Sequence, residues 1–233
     1  MKLYSTINEY IQKENKSYLK YKVIDSNITL FEGTKDECLK YIDSKVNKDT
    51  KKVIIVGPSP HLINLNLGEK IDSYDVVVRM NNSYTISNHK DFGSRTDYLF
   101  LNQMWVRNNK SLIPDLKRKF KENLIIKQEN LNSKAPKGYN LNTNWSSNMG
   151  VLTILHLINE GYKNISLTGF SFYQNHPFYV DEHFHNQKGM VLKGESHPQK
   201  KTIKEINELI KLNHIHLMDD TKYWFDLTKE KYL

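Results

Sequence analysis

From Val53 onward the chain alternates short runs of β-branched and aliphatic residues with stretches whose apolar positions recur at helical spacing. VIIVG at 53–57, DVVVRM at 75–80, TDYLFL at 96–101, NLIIK at 123–127 and NISLTGF at 164–170 have the length and β-branched content of strands buried on both faces, as a parallel sheet requires. HIHLM at 214–218 reads as a further strand. Between them, SLIPDLKRKFKE predicts a helix with Leu112, Ile113, Leu116 and Phe120 on one face and Pro114 in its first turn, where proline is tolerated. MGVLTILHLINEG is apolar nearly all round and stops at Gly161, the pattern of a buried helix with a glycine stop. TIKEINELIKL opens with Thr202 and Glu205 spaced as a capping box and aligns Ile203, Ile206 and Ile210. The tail DDTKYWFDLTKEKYL is expected to pack its aromatics back on the domain. Strands alternating with helices predict the α/β fold class, a Rossmann-like, mostly parallel sheet flanked by helices.

Ahead of this pattern, YKVID and ITLFEG alternate like paired strands across Ser26 and Asn27, and DECLKYIDSKV follows as an amphipathic helix. Asn47 to Lys52 form a polar connector. The expected organisation is a small N-terminal α+β extension over residues 1–50 and a main domain over residues 51–233.

A hydrophobic fraction of 38%, with 14 Tyr, 9 Phe and 3 Trp in 233 residues, excludes wholesale disorder. Lys, Glu or Asn interrupts every apolar run in MKLYSTINEYIQKENK, so no signal peptide is expected there. No segment approaches the roughly 18 apolar residues of a membrane span. The single Cys38 excludes an internal disulfide and a Cys-rich metal site, and a cytoplasmic setting is expected. The net charge of +8 admits anionic partners: nucleotides, acidic glycans, anionic lipid or nucleic acid. Charge does not choose among them, and the abundance of Lys, Asn and Ile is equally explained by a biased genome composition.

The first loop is more informative. VIIVGPSP puts Gly57 and Ser59 directly after the first strand of the α/β unit, at the edge where such sheets bind ligands. Gly57 admits close backbone approach, and Ser59 brings a hydroxyl and an amide N–H suited to phosphate. A plain strand-to-loop turn accounts for the same residues. Neither GxGxxG nor GxxxxGK[ST] is present, which counts against dinucleotide and P-loop sites.

The stretch from VIIVGPSP to DFGSRTDYLFLN resembles the large motif of the sialyltransferases, glycosyltransferase family 29, by the order and spacing of Val-Gly-x-Ser, Gly-x-x-Ile-Asp-x-x-Asp, Val-x-Arg-Met-Asn and Asp-x-Gly-Ser-Arg-Thr. The resemblance is to a soluble, microbial or viral type of that family. It implies a GT-A-like variant of the fold, with the large motif holding the CMP part of the sugar donor through Ser59 and Asn81, and Asn102 as a neighbour. An Asn amide suits this with one acceptor and two donors, although a strand-end turn residue is the plain reading of Asn81. Arg79 and Asp91 are expected to be structural, Arg79 paired with a carboxylate, and Asp72 and Asp75 to fix turns. Pro58 stands where the family often has Asn.

NWSSNMGVLTILHLINEGYKNISLTGF resembles the small motif of the same family, in which a turn opens a buried helix leading to a strand that ends in Gly-Phe. Ser146, Ser147 and Asn148, with the first N–H groups of that helix, form a candidate anion site for the donor's phosphate or carboxylate. Simple helix capping by Ser147 or Asn148 explains the same residues.

His176, His183, His185 and His197 fall in a stretch with neither helical nor strand period, and long loops of this kind are commonly functional. HFHN and HPQKKTIKE resemble the family's third and very small motifs. Carried over, His197 is the general base that takes the acceptor hydroxyl proton during inversion, and His183 stabilises the departing CMP phosphate. Thr202 stands where the very small motif ends in Glu. A competing reading makes His183, His185 and His197 zinc ligands, but no fourth ligand is evident and His-x-His also arises from strand alternation. The resemblance, with no Asp-x-Asp motif present, implies a metal-independent transferase that needs no cofactor beyond its CMP-sugar donor.

The expected function is inverting transfer of sialic acid or a related nonulosonic acid from CMP to a hydroxyl of a glycan or glycolipid, with peripheral contact to an anionic membrane as a further possibility. CMP-Kdo transfer, an inactive nucleotide- or glycan-binding module, and nucleic-acid binding through the basic segment from Arg107 to Lys121 are the alternatives; nucleic acid is not the expected partner.

Overall fold

The computed structural model describes residues 10–13, 16–19, 21–25, 28–34, 36–39, 48–127, 148–172, 174 and 199–233. The chain forms two compact units, Met1–Thr50 and Lys51–Leu233. In the first, β1 (Tyr10–Lys13) pairs antiparallel with β2 (Lys16–Leu19), and β3 (Tyr21–Asp25) with β4 (Ile28–Gly33). The hairpin across Ser26 and Asn27 matches the sequence pattern, whereas β1 and β2 carry too few alternating residues to announce themselves. Residues 36–39 are helical, and Glu37 and Thr34 cap that turn reciprocally: the Thr34 N–H donates to Glu37 Oε2 at 2.8 Å and the Glu37 N–H to Thr34 Oγ1 at 3.3 Å. The remainder of the helix expected there lies outside the described residues.

The second unit is built on β5 (Lys52–Val56), β6 (Val76–Met80), β7 (Tyr98–Leu101), β8 (Leu124–Ile126), β9 (Asn164–Thr168) and β10 (Ile215–Leu217). They form one six-stranded sheet in the order β10-β9-β5-β6-β7-β8. Every pairing is parallel, a stricter arrangement than the mostly parallel sheet expected from sequence. Among the described residues of this unit, the α-helices are α1 (Gly68–Asp72), α2 (His89–Phe92), α3 (Gln103–Asn108), α4 (Ile113–Phe120), α5 (Met149–Asn159), α6 (Gln199–Lys211) and α7 (Asp219–Tyr232).

Strand alternation distributes the side chains to two sides. Val53, Ile55, Val76, Val78, Phe100 and Ile125 face a core completed by α5, α6 and α7. Ile54, Val56 and Val77 face the opposite way, onto Leu62, Ile71 and Phe92, while Leu99, Leu101, Leu124 and Ile126 meet Trp105, Leu116 and Phe120. Full burial of each such aliphatic side chain stabilises by about 1.5–3 kcal/mol, which is why runs with no polar interruption become central strands. The tail packs as expected: α7 inserts Trp224 and Phe225 into the first core.

Two helix expectations and one pairing are corrected. Only Ile113–Phe120 of SLIPDLKRKFKE is α-helical; Leu112 belongs to a preceding 3-10 turn and is 43% exposed, so it leaves the buried face. The α6 helix already runs from Gln199, which puts Thr202 and Glu205 inside it, both buried, instead of at a capping box. Arg79 pairs with carbonyls, not with a carboxylate: its Nε donates to Arg95 O at 2.9 Å and one terminal nitrogen to Phe92 O and Gly93 O at 2.6 and 3.0 Å.

Candidate functional site

The strand order reverses between β5 and β9, and in α/β sheets such a reversal opens a crevice at the carboxyl ends of the two strands. Gly57 follows β5 and Gly169 follows β9. The Gly57 N–H donates to Thr168 O at 2.8 Å and the Ser59 N–H to Gly169 O at 3.1 Å, drawing the two loops together. The ring of Phe170 occupies the adjoining space: a Cβ added to Gly57 would lie 3.2 Å from it, and one added to Gly150 would lie 3.3 Å from it. The opening glycine of the large motif and the glycine of the small motif therefore meet on one aromatic ring.

Ser59 is buried, and its N–H is committed to Gly169, so of the two groups expected to address phosphate the hydroxyl remains. That hydroxyl is 2.8 Å from Nδ1 of His61, whose Nε2 is 3.0 Å from Oδ2 of Asp220. Asp220 also accepts from Thr168 Oγ1, the Gly169 N–H and Thr221 Oγ1, each at 2.9 Å. Burial alone would raise the Asp220 pKa; the hydrogen bonds, that of His61 foremost, outweigh it and hold the carboxyl below its ordinary value. Its position at the start of α7 also favours negative charge. Sequence reasoning missed His61 and Asp220. The available signals were a histidine two residues beyond Ser59 and an Asp pair opening the final helical segment.

Further along the same edge, Asn81 directly follows β6 with a φ of 48°, a left-handed conformation that Asn tolerates better than most residues. Its Oδ1 accepts the N–H of Asn102 at 3.0 Å, and Oδ1 of Asn102 accepts the N–H of Trp105 at 2.7 Å, capping α3. Both carbonyl oxygens are engaged by backbone, so the amide N–H groups are what these residues offer a ligand. They suit ligand acceptors such as phosphate oxygens or N3 and O2 of cytosine.

Asn148 caps α5, accepting the Val151 N–H at 3.0 Å, and its Nδ2 donates to Thr202 Oγ1 at 3.2 Å. It thus links the start of α5 to the first turns of α6. Gln199 Nε2 donates to Phe172 O at 3.0 Å and ties α6 to the segment after β9. Ser146, Ser147, His176, His183, His185 and His197 lie outside the described residues. Among the described residues, no three His, Cys, Asp or Glu side chains are placed to hold a metal ion, and no helix is long and apolar enough to cross a membrane.

Charged side chains, with Arg79 and Asp91 buried, Asp72 half-buried and Asp75 exposed, stiffen the large motif behind this edge. Asp72 accepts the Ser94 N–H at 2.8 Å and the Arg95 N–H at 3.0 Å, and Asp75 accepts the Lys52 N–H at 2.8 Å, the turn-fixing roles expected of them. Burial lowers the Arg79 guanidinium to about 10 against the opposing pull of Asp72. Asp91, also buried, accepts the Asn64 and Asn66 N–H groups at 2.9 and 2.8 Å and Nδ2 of Asn88 at 2.8 Å.

A family model described as glycosyltransferase family 29 (sialyltransferase) matches residues 3–131, more than half of the chain. The type 2 lactosamine alpha-2,3-sialyltransferase of Homo sapiens is 46% identical over 52 residues, 22% of this chain and 16% of that protein. The Rattus norvegicus protein of the same name is 44% identical over 48 residues, 21% of this chain and 14% of its own. The matched stretch spans about a sixth of the length of these curated relatives. They are mammalian, so they lend nothing to the microbial or viral character expected from the sequence. Among solved structures, a mammalian sialyltransferase in complex with Gal-beta-1-3GalNAc-ortho-nitrophenol aligns over 72% of this chain and 69% of its own, at 17% identity and a TM-score of 0.44.

Proposed function

The chain belongs to glycosyltransferase family 29, the sialyltransferases, and from that membership we propose that it moves sialic acid, or a related nonulosonic acid, from a CMP-activated donor to a hydroxyl of a glycan. The observation that carries the reading is the convergence of the loop after β5 and the start of α5 on Phe170, at the reversal point of an all-parallel sheet. A nucleotide donor in that crevice would meet the Ser59 hydroxyl and the amide donors of Asn81 and Asn102. The helix start at Asn148 would address its phosphate or carboxylate.

In the reaction, the acceptor oxygen forms its bond to the anomeric carbon as the bond from that carbon to the CMP phosphate oxygen breaks, with inversion. His197 takes the acceptor proton and His183 donates a hydrogen bond to the leaving phosphate. CMP carries a single phosphate, and no step here calls on a metal. Segment 103–121 supports a peripheral role at anionic membrane: Arg107, Lys110, Lys117, Arg118, Lys119 and Lys121 are exposed, as are the apolar side chains of Met104 and Leu112.

Calorimetric titration with CMP, with UDP as control and with and without EDTA, tests the donor site. Selective, chelator-insensitive CMP binding is expected, together with loss of transfer in His197→Ala and His183→Ala. Equal binding of UDP, or none of either nucleotide, would overturn the reading.

A further inference from the structure

Ser59, His61 and Asp220 form a continuous hydrogen-bonded chain from the crevice into the protein, with the His61 and Asp220 side chains only 7% and 4% exposed. Asp220 receives three other hydrogen bonds, two from hydroxyls and one from a backbone N–H. An ionised carboxylate can only accept, so Nε2 of His61 carries a hydrogen and donates it to Asp220. That fixes the tautomer of the neutral ring and leaves the hydrogen bond at Nδ1 to be decided by the state of the imidazole. With the ring neutral, Nδ1 is an acceptor and takes the Ser59 hydroxyl hydrogen. With the ring charged, Nδ1–H donates to Ser59 Oγ, and the hydroxyl hydrogen turns outward.

A serine nucleophile is the obvious alternative for this trio. The Ser59 N–H is already bound to Gly169 O and cannot serve as an oxyanion donor at the same residue, which argues against it. Among the described residues, the charged side chain bonded to the His61 ring is Asp220 of α7. Trp224 of the same helix contributes a ring 5.8 Å away, and Thr168 and Gly169 of β9 and its loop reach Asp220 instead of the imidazole.

We propose that this chain is a proton-linked anion grip, in which the Ser59 hydroxyl donates to the donor's phosphate when His61 is an imidazolium held by Asp220. The proposal rests on the reading of this crevice as the CMP site. Binding takes one proton from solvent onto Nδ1. The hydroxyl hydrogen released from Nδ1 passes to a phosphate oxygen as a hydrogen bond, and no heavy-atom bond changes. His61 is thus a positioning residue: it acts on the ligand through Ser59 and couples affinity to pH.

The test is calorimetry of the full chain with CMP between about pH 5.5 and about pH 8.5, where imidazole titrates. At about pH 8 CMP is already a dianion, so titration in two buffers of different ionisation enthalpy counts protons taken up by the protein. The expected result is uptake of about one proton and an affinity falling by up to about tenfold per pH unit above the imidazole range. In His61→Gln, which keeps a donor towards Asp220 and loses Nδ1, the pH dependence should flatten to that of CMP itself. Ser59→Ala should behave the same way while keeping His61. CMP binding by the wild type without proton uptake, or the wild-type pH dependence persisting in His61→Gln or Ser59→Ala, would overturn the grip and leave the donor site standing. Absence of CMP binding by the wild type at every pH overturns the donor site and the grip together. The proton count on the wild type decides the matter even if neither variant folds.

Discussion

Gly57 and Gly169 face each other across the two central strands so closely that neither can carry a side chain. A Cβ on Gly57 would stand 2.2 Å from the Gly169 carbonyl oxygen, and one on Gly169 would stand 2.5 Å from the Gly57 carbonyl oxygen. The obstacle is backbone, which cannot rotate away, and Gly169 also has a φ of 76°. Gly57→Ala should therefore destabilise by about 1–3 kcal/mol in urea denaturation and weaken CMP binding by separating the loop from Phe170. Gly169→Ala adds the cost of its positive φ and should be the worse of the pair. Wild-type stability in both variants would show that the loops are not in contact.

Asn81 has two separable functions. Its Oδ1 holds the N–H of Asn102, and its amide nitrogen faces no such backbone demand. Asn81→Asp keeps the acceptor and replaces two donors with negative charge, in a residue type equally tolerant of the left-handed conformation. Thermal stability should change by less than about 1 kcal/mol while CMP affinity falls at least about tenfold, since a carboxylate repels the phosphate and cannot donate. A variant that binds CMP normally removes Asn81 from the donor site.

Asp91 holds the loop after β5. Asn64 and Asn66, whose N–H groups it accepts, both have positive φ, at 68° and 54°, so the carboxylate secures a conformation the backbone would not choose alone. Burial would raise its pKa, but the hydrogen bonds from Asn64, Asn66 and Asn88 prevail and lower it. A folded-state pKa below the unfolded value means that Asp91 contributes stability above about pH 4, and that this contribution disappears as pH falls through the folded-state value. Asp91→Asn should cost about 1.5–3 kcal/mol at neutral pH. The gap to wild type should close in acid, a convergence that denaturation at neutral and acidic pH would detect.

The six strands were legible because each is a short run dominated by β-branched and aliphatic residues; in β5, β7 and β8 the apolar run is nearly unbroken, and in β6 and β9 the polar residues Arg79, Ser166 and Thr168 are themselves buried. Strand order was not legible, since pairing depends on contacts distant in sequence; the meeting of Gly57 and Gly169 follows from β9 entering beside β5. The site was legible in part. Gly57, Ser59, Asn81 and Asn102 fall at strand ends, where the spacing of the motifs put them, but which atom each presents depends on its neighbours. His61 and Asp220 share no local pattern, and their contact arises only when α7 packs beside the first loop. The capping box shows the same limit. Thr34 and Glu37 cap each other at an exposed helix start, while the identically spaced Thr202 and Glu205 lie inside α6, where the face bearing Ile203, Ile206 and Leu209 is buried. Pro198, just ahead of Gln199, was the local sign that the helix begins earlier.

That displacement gives Thr202 a different task. Its Oγ1 accepts Nδ2 of Asn148, fixing which way round the Asn148 amide sits and so directing Oδ1 to the Val151 N–H at the start of α5. Thr202→Val keeps the volume and branching and deletes the acceptor, leaving a half-buried amide donor unmet. The cost should be about 1–2 kcal/mol in denaturation. If the α5 start holds the donor anion, CMP affinity should drop several-fold with it, because the capping side chain loses its orientation. Asn148→Asp provides the contrast. It retains the cap oxygen and the favourable charge at a helix N-terminus, so stability should hold or rise slightly. A second negative charge beside a phosphate should nevertheless weaken CMP binding by more than Thr202→Val does. If stability falls in Thr202→Val while CMP affinity is unchanged in both variants, Asn148 is a cap alone, and the donor anion is held elsewhere along the carboxyl edge of the sheet.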